Sequence, residues 1–241
     1  MSSRKTVKQL PDHSEIQEFY DEIYYRDTDM PSVSSHLRRL AKKFAPWNGQ
    51  KVLDVACGTG GWLMAVAALG AMPAGIDISQ KALEVCRRAL PGAELHCGPA
   101  EQLPFRDHDF DFISCLGALE HFLDSHGALS EMVRVAKPNA VILLLVPNSG
   151  FLTRRIGLYS GTHQADVKED VRSLSEWQAL FASAGLRILY RWRDLHVVSI
   201  SWIFRGHWYQ WPVRAAQALA LPLWPLSWQY QVYHLCVIRK Q

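Results

Sequence analysis

A glycine-rich turn between an apolar strand and an apolar helix is the feature that most constrains this fold. The run Val52–Cys57 is long enough for a buried strand and too short for a helix. Gly58, Gly60 and Gly61 interrupt it, and apolar residues then recur at helical spacing over 63–70. The free N–H groups of that helix therefore face whatever binds above the carboxyl end of the strand.

Two acidic residues accompany the turn. Asp54 lies inside the strand, and Asp77 ends a second apolar strand, Ala74–Ile78, nineteen positions after Gly58. A carboxylate at a strand end about 20 residues beyond a glycine turn can accept hydrogen bonds from both ribose hydroxyls of a nucleoside. A nicotinamide site would have the pattern G-x-G-x-x-G, but Leu63 occupies its third glycine position.

These residues resemble motif I of the class I methyltransferases that use S-adenosyl-L-methionine (SAM). Gly98–Phe105 is similar to the Gly-Asp-Ala-Glu-x-Leu-Pro-Phe stretch of the ubiquinone- and menaquinone-biosynthesis group, with Pro99 in place of the aspartate. Leu119–Phe122 resembles the Leu-x-His-hydrophobic element of the same group. The resemblance covers roughly residues 15–195 and the last strand.

The resemblance implies an α/β fold of three layers: a Rossmann-like, seven-stranded, mostly parallel sheet with helices on both faces and an antiparallel last strand. We expect a single domain over 1–241, with an N-terminal helical lid (13–45), a cap (149–172) and an apolar insert (196–228). The apolar run 141–146 predicts a central strand covered on both faces. Ser173 and Glu176 form a capping-box pattern that predicts a helix start.

The resemblance also implies a SAM site, with S-adenosyl-L-homocysteine (SAH) as the product. Asp77 is expected to hold the ribose, while Asp54 and the glycine turn hold the methionine end. Since Pro99 lacks the carboxylate that the family uses for adenine, backbone N–H groups of the two following residues are expected to replace it. The expected cofactor-binding residues are Asp54, Ala56, Cys57, Gly58, Gly60, Trp62, Asp77, Ile78, Ala100, Glu101 and Leu116.

On the acceptor side, His121 is the candidate catalytic residue, because a histidine titrates near neutral pH and can act as a base or orient a substrate. The alternative is a structural histidine bonded to backbone. The expected substrate-binding residues are Tyr20, Tyr24, Arg155 and His163. The alternatives are a lid helix that only packs on the core and an arginine on a solvated helix face.

Composition excludes several other classes. The five cysteines are scattered without a C-x-x-C pair, and no acidic triplet is evident, so we expect neither disulfides nor a metal site. The polar start, 1–12, lacks the apolar core of a signal peptide, and the protein is expected to be cytoplasmic. No Asn/Asp-Pro-Pro-Tyr/Phe element follows the fourth strand, which argues against a nucleic-acid substrate.

The insert 196–228 is unusual in composition. Six of the nine tryptophans fall between Trp192 and Trp228, and prolines divide the segment. Residues 151–241 carry 11 Lys and Arg against 5 Asp and Glu. A basic, tryptophan-rich, apolar segment suits a membrane interface or a tunnel for a lipid-sized substrate. Alternatively, the insert covers the edge of the sheet or forms a subunit interface. The sequence does not indicate the oligomeric state.

The predicted activity is transfer of the SAM methyl group to a small or lipid-like acceptor by in-line displacement. Two alternatives remain: a non-catalytic module that keeps the SAM-binding fold at a membrane, and an NAD-dependent oxidoreductase.

Overall fold

A computed structural model gives the fold for residues 12–26, 28, 32–155, 169–195, 203–204 and 207–239. A sheet of seven strands forms its centre, in the order β3-β2-β1-β4-β5-β7-β6. The strands are β1 (Lys51–Val55), β2 (Met72–Asp77), β3 (Glu94–Cys97), β4 (Phe110–Leu116), β5 (Ala136–Pro147), β6 (Leu186–Arg193) and β7 (Gln231–Ile238).

The sheet confirms the predicted fold class. Neighbouring strands from β3 to β5 pair in parallel, and β7 runs antiparallel between β5 and β6. The carboxyl-terminal half of β5 is buried, as its apolar run predicts. The first strand ends two residues earlier than predicted, because Ala56 adopts a positive φ of 61° that a strand cannot continue.

Helices cover both faces of the sheet. They are α1 (His13–Phe19), α2 (Ser35–Lys43), α3 (Gly61–Ala67), α4 (Gln80–Ala89), α5 (Ser125–Val135), α6 (Leu152–Arg155), α7 (Leu174–Ser183) and α8 (Trp211–Ala220). A π-helical turn, Tyr20–Tyr24, extends α1, and a 3₁₀ turn, Leu119–His121, follows β4. Helix α7 begins with the predicted capping box, in which Ser173 and Glu176 bond each other's backbone N–H groups.

Two apolar cores flank the sheet. One packs α5 and α7 against it around Trp177 and Phe181, and the other packs α2 and α3 around Trp47 and Trp62. At the carboxyl edge, the Asn148 side chain donates to the carbonyl of Ser227 (2.8 Å), which fixes the end of the insert beside β5. Among the described residues, every helix is too short or too polar to cross a bilayer.

Candidate active site

The bend after β1 is built from residues with positive φ. Ala56, Gly58 and Gly60 have φ values of 61°, 53° and 86°. A Cβ on Gly58 would lie 2.8 Å from the hydroxyl of Tyr25 and would displace the end of that side chain, and the positive φ of Gly58 also favours glycine. The bend places the N-terminus of α3 at the carboxyl edge of the sheet, where open α/β sheets bind ligands.

Asp77 connects this bend to the loop that follows β2. At the end of β2, one carboxylate oxygen accepts from the Gly58 N–H (2.7 Å) and the other from the Ser79 N–H (2.9 Å). Burial raises the pKa of Asp77 to about 6, although both hydrogen bonds favour the carboxylate. The group is therefore held rigidly, and it ionises just below neutral pH.

Asp54 lies beneath the same bend. It is buried and accepts a hydrogen bond from the Ser114 hydroxyl on β4 (2.6 Å). Burial raises the pKa of Asp54 well above its usual range, and the neighbouring charge of Asp77 adds to this effect. Two buried carboxyl groups therefore flank the bend, and the charge of one acts on the other.

A cavity of about 200 Å³ opens over this edge. It brings together nine of the residues that the sequence predicts for the site: Tyr20, Tyr24, Ala56, Asp77, Ile78, Ala100, Glu101, Leu116 and His121. Pro99 also lines it, together with residues that the sequence did not predict for the site, namely His13, Ile16, Gly117, Ala118, Phe122 and Leu123.

The lid closes the cavity with tyrosines. Tyr20, Tyr24 and Tyr25 contact one another, with ring centroids 4.8–6.2 Å apart. One carboxylate oxygen of Asp21 accepts from the Ser79 hydroxyl (2.6 Å) and from the Lys81 N–H (3.1 Å). The lid is therefore anchored at the start of α4, two residues beyond Asp77.

Some predicted residues lie elsewhere. Asp54, Cys57, Gly58 and Gly60 form the support of the bend and do not line the cavity. Trp62 is buried in the core against Trp47 and Phe112. Arg155 is exposed at the end of α6, and His163 lies outside the described residues.

Glu120 is a buried acid that sequence reasoning missed. It follows β4 in the 3₁₀ turn and is only 4% exposed. Burial, with a smaller contribution from the nearby charge of Glu169, raises its pKa to about 7. Its only sequence signal is its place inside the Leu119–Phe122 element.

Comparisons with known proteins bear on this site. Residues 53–144, which contain the bend, Asp77 and the turn after β4, match the family described as a methyltransferase domain. The methyltransferase YcgJ of Bacillus subtilis is 30% identical over 193 residues, which cover 76% of this chain and 75% of YcgJ. The chain belongs to the SAM-dependent methyltransferase family.

One further relative and one solved structure of the same fold extend the comparison. The demethylmenaquinone methyltransferase of Staphylococcus aureus is 37% identical over 114 residues, which span 45% of this chain and about half (47%) of that enzyme. A chain from the complex between the Haloferax volcanii Trm112 methyltransferase activator and a methyltransferase shares the fold, with a TM-score of 0.70 at 20% identity. That match covers 94% of this chain and 98% of the other.

The residues of this methyltransferase fit the cofactor that its family uses. The Asp77 carboxylate borders the cavity and can accept from ribose hydroxyls. Tyrosine rings on the lid offer the aromatic faces that attract a cation such as a sulfonium. Among the described residues, no group of three His, Cys, Asp or Glu side chains could hold a metal ion.

Proposed function

We propose that the protein transfers the methyl group of SAM to a small, lipid-like acceptor. The observation that carries the proposal is the cavity at the carboxyl edge, which Asp77, the lid tyrosines and His121 all line. Asp77 would hold the ribose, and Ala100 and Glu101 would meet the adenine. Asp54 and the glycine bend would fix the methionine end from beneath the cavity floor, with Asp54 held by Ser114.

Methyl transfer from SAM depends more on aligning the acceptor with the methyl group than on activating either reactant. SAM supplies a methyl group on a positively charged sulfur, which leaves as neutral SAH. Holding the acceptor in line with that methyl group is worth about 7–11 kcal/mol in well-oriented systems. The anchored lid provides this constraint, because Asp21 fixes its position relative to Asp77. His121 would orient the acceptor or take its proton.

The residues of the cavity wall support an apolar acceptor. Tyr20 and Tyr24 would contact the acceptor, and apolar residues such as Leu116 and Phe122 line the cavity beside them. Arg155 and His163 would meet an acceptor that extends beyond the cavity. The similarity to a demethylmenaquinone methyltransferase supports an apolar, ring-containing acceptor.

Calorimetry with SAM, SAH and NAD tests the cofactor assignment. We expect micromolar binding of SAM and SAH, no response to NAD, and loss of SAH binding in Asp77→Ala. Binding of NAD alone would favour an oxidoreductase. SAH binding without transfer of a labelled methyl group to any quinol, phenol or amine in an acceptor panel would favour a non-catalytic module.

We also propose that the insert 196–228 contacts a membrane surface. Its described part presents large apolar side chains to solvent, and Trp208, Leu219 and Leu223 are 74%, 78% and 84% exposed. The last acidic residue of the chain is Asp194, so the segment carries arginines such as Arg214 and contains no Asp or Glu. An exposed apolar face with basic residues and tryptophan suits the interface of an anionic bilayer.

The proposed setting is a cytoplasmic enzyme that meets a lipid-like acceptor at the membrane surface. All five cysteines are free thiols, which fits a reducing compartment. The insert is tied to the carboxyl edge through Asn148 and Gln229, so a bound membrane would lie on the side of the sheet that holds the cavity.

A further inference from the structure

The sheet ends in an open edge at β6. This strand is last in the sheet order and pairs only with β7, so alternate residues of β6 direct their backbone N–H and C=O groups away from the sheet. On this strand, Leu189 and Tyr190 are 38% and 68% exposed. An open edge with exposed apolar side chains can pair with another extended chain.

A groove of about 420 Å³ follows this edge. Consecutive residues of β6, 186–191, line it, and because successive side chains of a strand point to opposite faces, the groove extends around the edge to both faces. Helix α7 contributes Gln178 and Ala182, and Arg239 lines the groove beside the start of β6. At about 3.3 Å per residue, the groove is long enough to hold a short extended segment.

The charged residues that line the groove are all cations. Arg187, Arg191 and Arg239 line it, whereas no Asp or Glu does. Among the described residues, none of the three guanidinium groups forms an ion pair. Arg191 is half-buried and donates to the neutral side-chain oxygen of Gln178 (2.9 Å), and burial lowers its pKa, opposed only by the Cys236 thiol. A half-buried guanidinium group without a carboxylate favours an anionic partner.

A β-bulge places two of these arginines on opposite faces of the strand. Arg187 is opposite Val237 of β7 in the ladder. Arg191 is opposite His234. Because Val237 and His234 are three positions apart on β7, they point to opposite faces of the sheet, and the arginines do the same. Without the irregularity over 188–190, the two arginines would share one face, since they are four positions apart.

This arrangement fits an extended chain better than a small anion. A single phosphate or carboxylate group cannot contact guanidinium groups on both faces of a strand at once. An extended segment places successive side chains on alternate faces, so its acidic residues can meet Arg187 on one face and Arg191 on the other. A second copy of β6 would set arginine against arginine, and like charges on paired strands are destabilising.

We propose that the edge of β6 binds an extended, acidic segment of a partner protein, which adds a further strand to the sheet. Backbone hydrogen bonds to β6 supply affinity, and the arginines of the groove select carboxylate side chains. The groove shares no residue with the cavity over β1, β2 and β4, so this inference does not rest on the proposed function.

Peptide binding to the full chain tests the proposal. The probe is acetyl-Thr-Glu-Val-Glu-Glu-Val-Glu-Thr-amide, which carries glutamates on both faces when extended. One control peptide has Gln in place of every Glu, and the other keeps the charges but is N-methylated at both valines, which blocks backbone pairing. The protein variants are Arg187→Gln/Arg191→Gln and, in case loss of the half-buried arginine unfolds the chain, Arg187→Gln/Arg239→Gln, which changes exposed side chains only. Arg38→Gln/Arg39→Gln, on exposed positions of α2, is the matched control.

Calorimetry gives the affinity, and hydrogen exchange over β6 reports backbone pairing. We expect the acidic peptide to bind the wild type, to slow exchange in β6, and to bind more weakly as salt increases. Both β6 variants should bind it about tenfold more weakly, since each exposed ion pair is worth up to about fivefold in affinity, and the α2 variant should bind like the wild type. The neutral and N-methylated peptides should bind weakly and leave exchange in β6 unchanged. Equal binding of the N-methylated peptide, or no binding of the acidic peptide at about 1 mM, would overturn the inference and leave the arginines as charges that protect an open edge from self-association.

Discussion

The ionisation of Asp77 predicts how cofactor affinity depends on pH. Its folded-state pKa of about 6 lies above the usual 3.8, so the protonated form predominates below pH 6. Only the carboxylate can accept from both ribose hydroxyls. We therefore expect SAH affinity to rise through pH 6 to a plateau, and to be about tenfold weaker at pH 5, where about a tenth of the protein is competent.

Calorimetry between pH 5 and pH 8 measures this dependence, and thermal unfolding at each pH checks that the protein stays folded. The contribution of Asp77 to the stability of the fold changes with pH in the opposite direction to the SAH affinity. Because the folded pKa is raised, the contribution of Asp77 to stability is complete below pH 3.8 and declines as pH rises through 6. Asp77→Asn should bind SAH weakly at every pH, and a flat wild-type profile would contradict the ribose assignment.

Single residues differed in how well the sequence predicted them. Asp77 was predictable because a strand end and a glycine bend fix its place on the backbone. The position of the Trp62 side chain was harder to predict. Successive side chains on a helix are rotated by about 100°, and at position 62 the side chain points into the core. No motif spacing predicts that Glu120 is buried with a raised pKa, because segments distant in the sequence bury it.

Among the elements, the lid is the one whose attachment can be tested. Asp21 holds it to α4 through two hydrogen bonds, and hydrogen bonds to charged groups contribute about 1.5–3 kcal/mol each. We expect Asp21→Ala to weaken SAH binding about tenfold and to speed hydrogen exchange over 13–26. The Ser79 hydroxyl would still cap α4, so the melting temperature should change little.

Glu22→Ala is the matched control for the lid. Glu22 pairs with Lys81 of α4 (2.8 Å), but both side chains are largely exposed, and such pairs are worth about 0–1 kcal/mol. Its SAH affinity should therefore stay near that of the wild type. Equal affinity in Asp21→Ala and the wild type would show that the lid does not govern cofactor binding.

Elements with a strong local pattern were well predicted. The capping box at Ser173 marks the start of α7, and the apolar run 141–146 marks the buried half of β5, although β5 begins earlier, at Ala136. By contrast, the anchoring of the lid depends on Asp21 and Ser79, which are 58 positions apart, and no local pattern reports such a contact. The position of β7 between β5 and β6 also depends on long-range pairing.

At the scale of the whole molecule, charge and apolar exposure are concentrated at one end of the chain. Residues 1–150 carry more acidic than basic side chains, and no acidic residue follows Asp194. Tyr209, Val213 and Leu219 are exposed on and beside α8, and Leu223 extends the same apolar surface. In the proposed arrangement, the basic, apolar segment contacts the membrane, and the same side of the sheet holds the cavity.

Vesicle flotation tests that contact with the double variant Leu219→Glu/Leu223→Glu. Burying a leucine side chain is worth about 1.5–3 kcal/mol, so losing two should weaken membrane binding by at least about a hundredfold. The wild type should float with vesicles of phosphatidylcholine mixed with phosphatidylglycerol, less with phosphatidylcholine alone, and less at high salt, because salt screens the attraction of the arginines. Leu189→Glu/Tyr190→Glu, which adds the same charges on exposed positions of β6, should float like the wild type. Flotation of the Leu219/Leu223 variant at the wild-type level, or no flotation of the wild type, would show that the exposed surface of α8 serves another purpose.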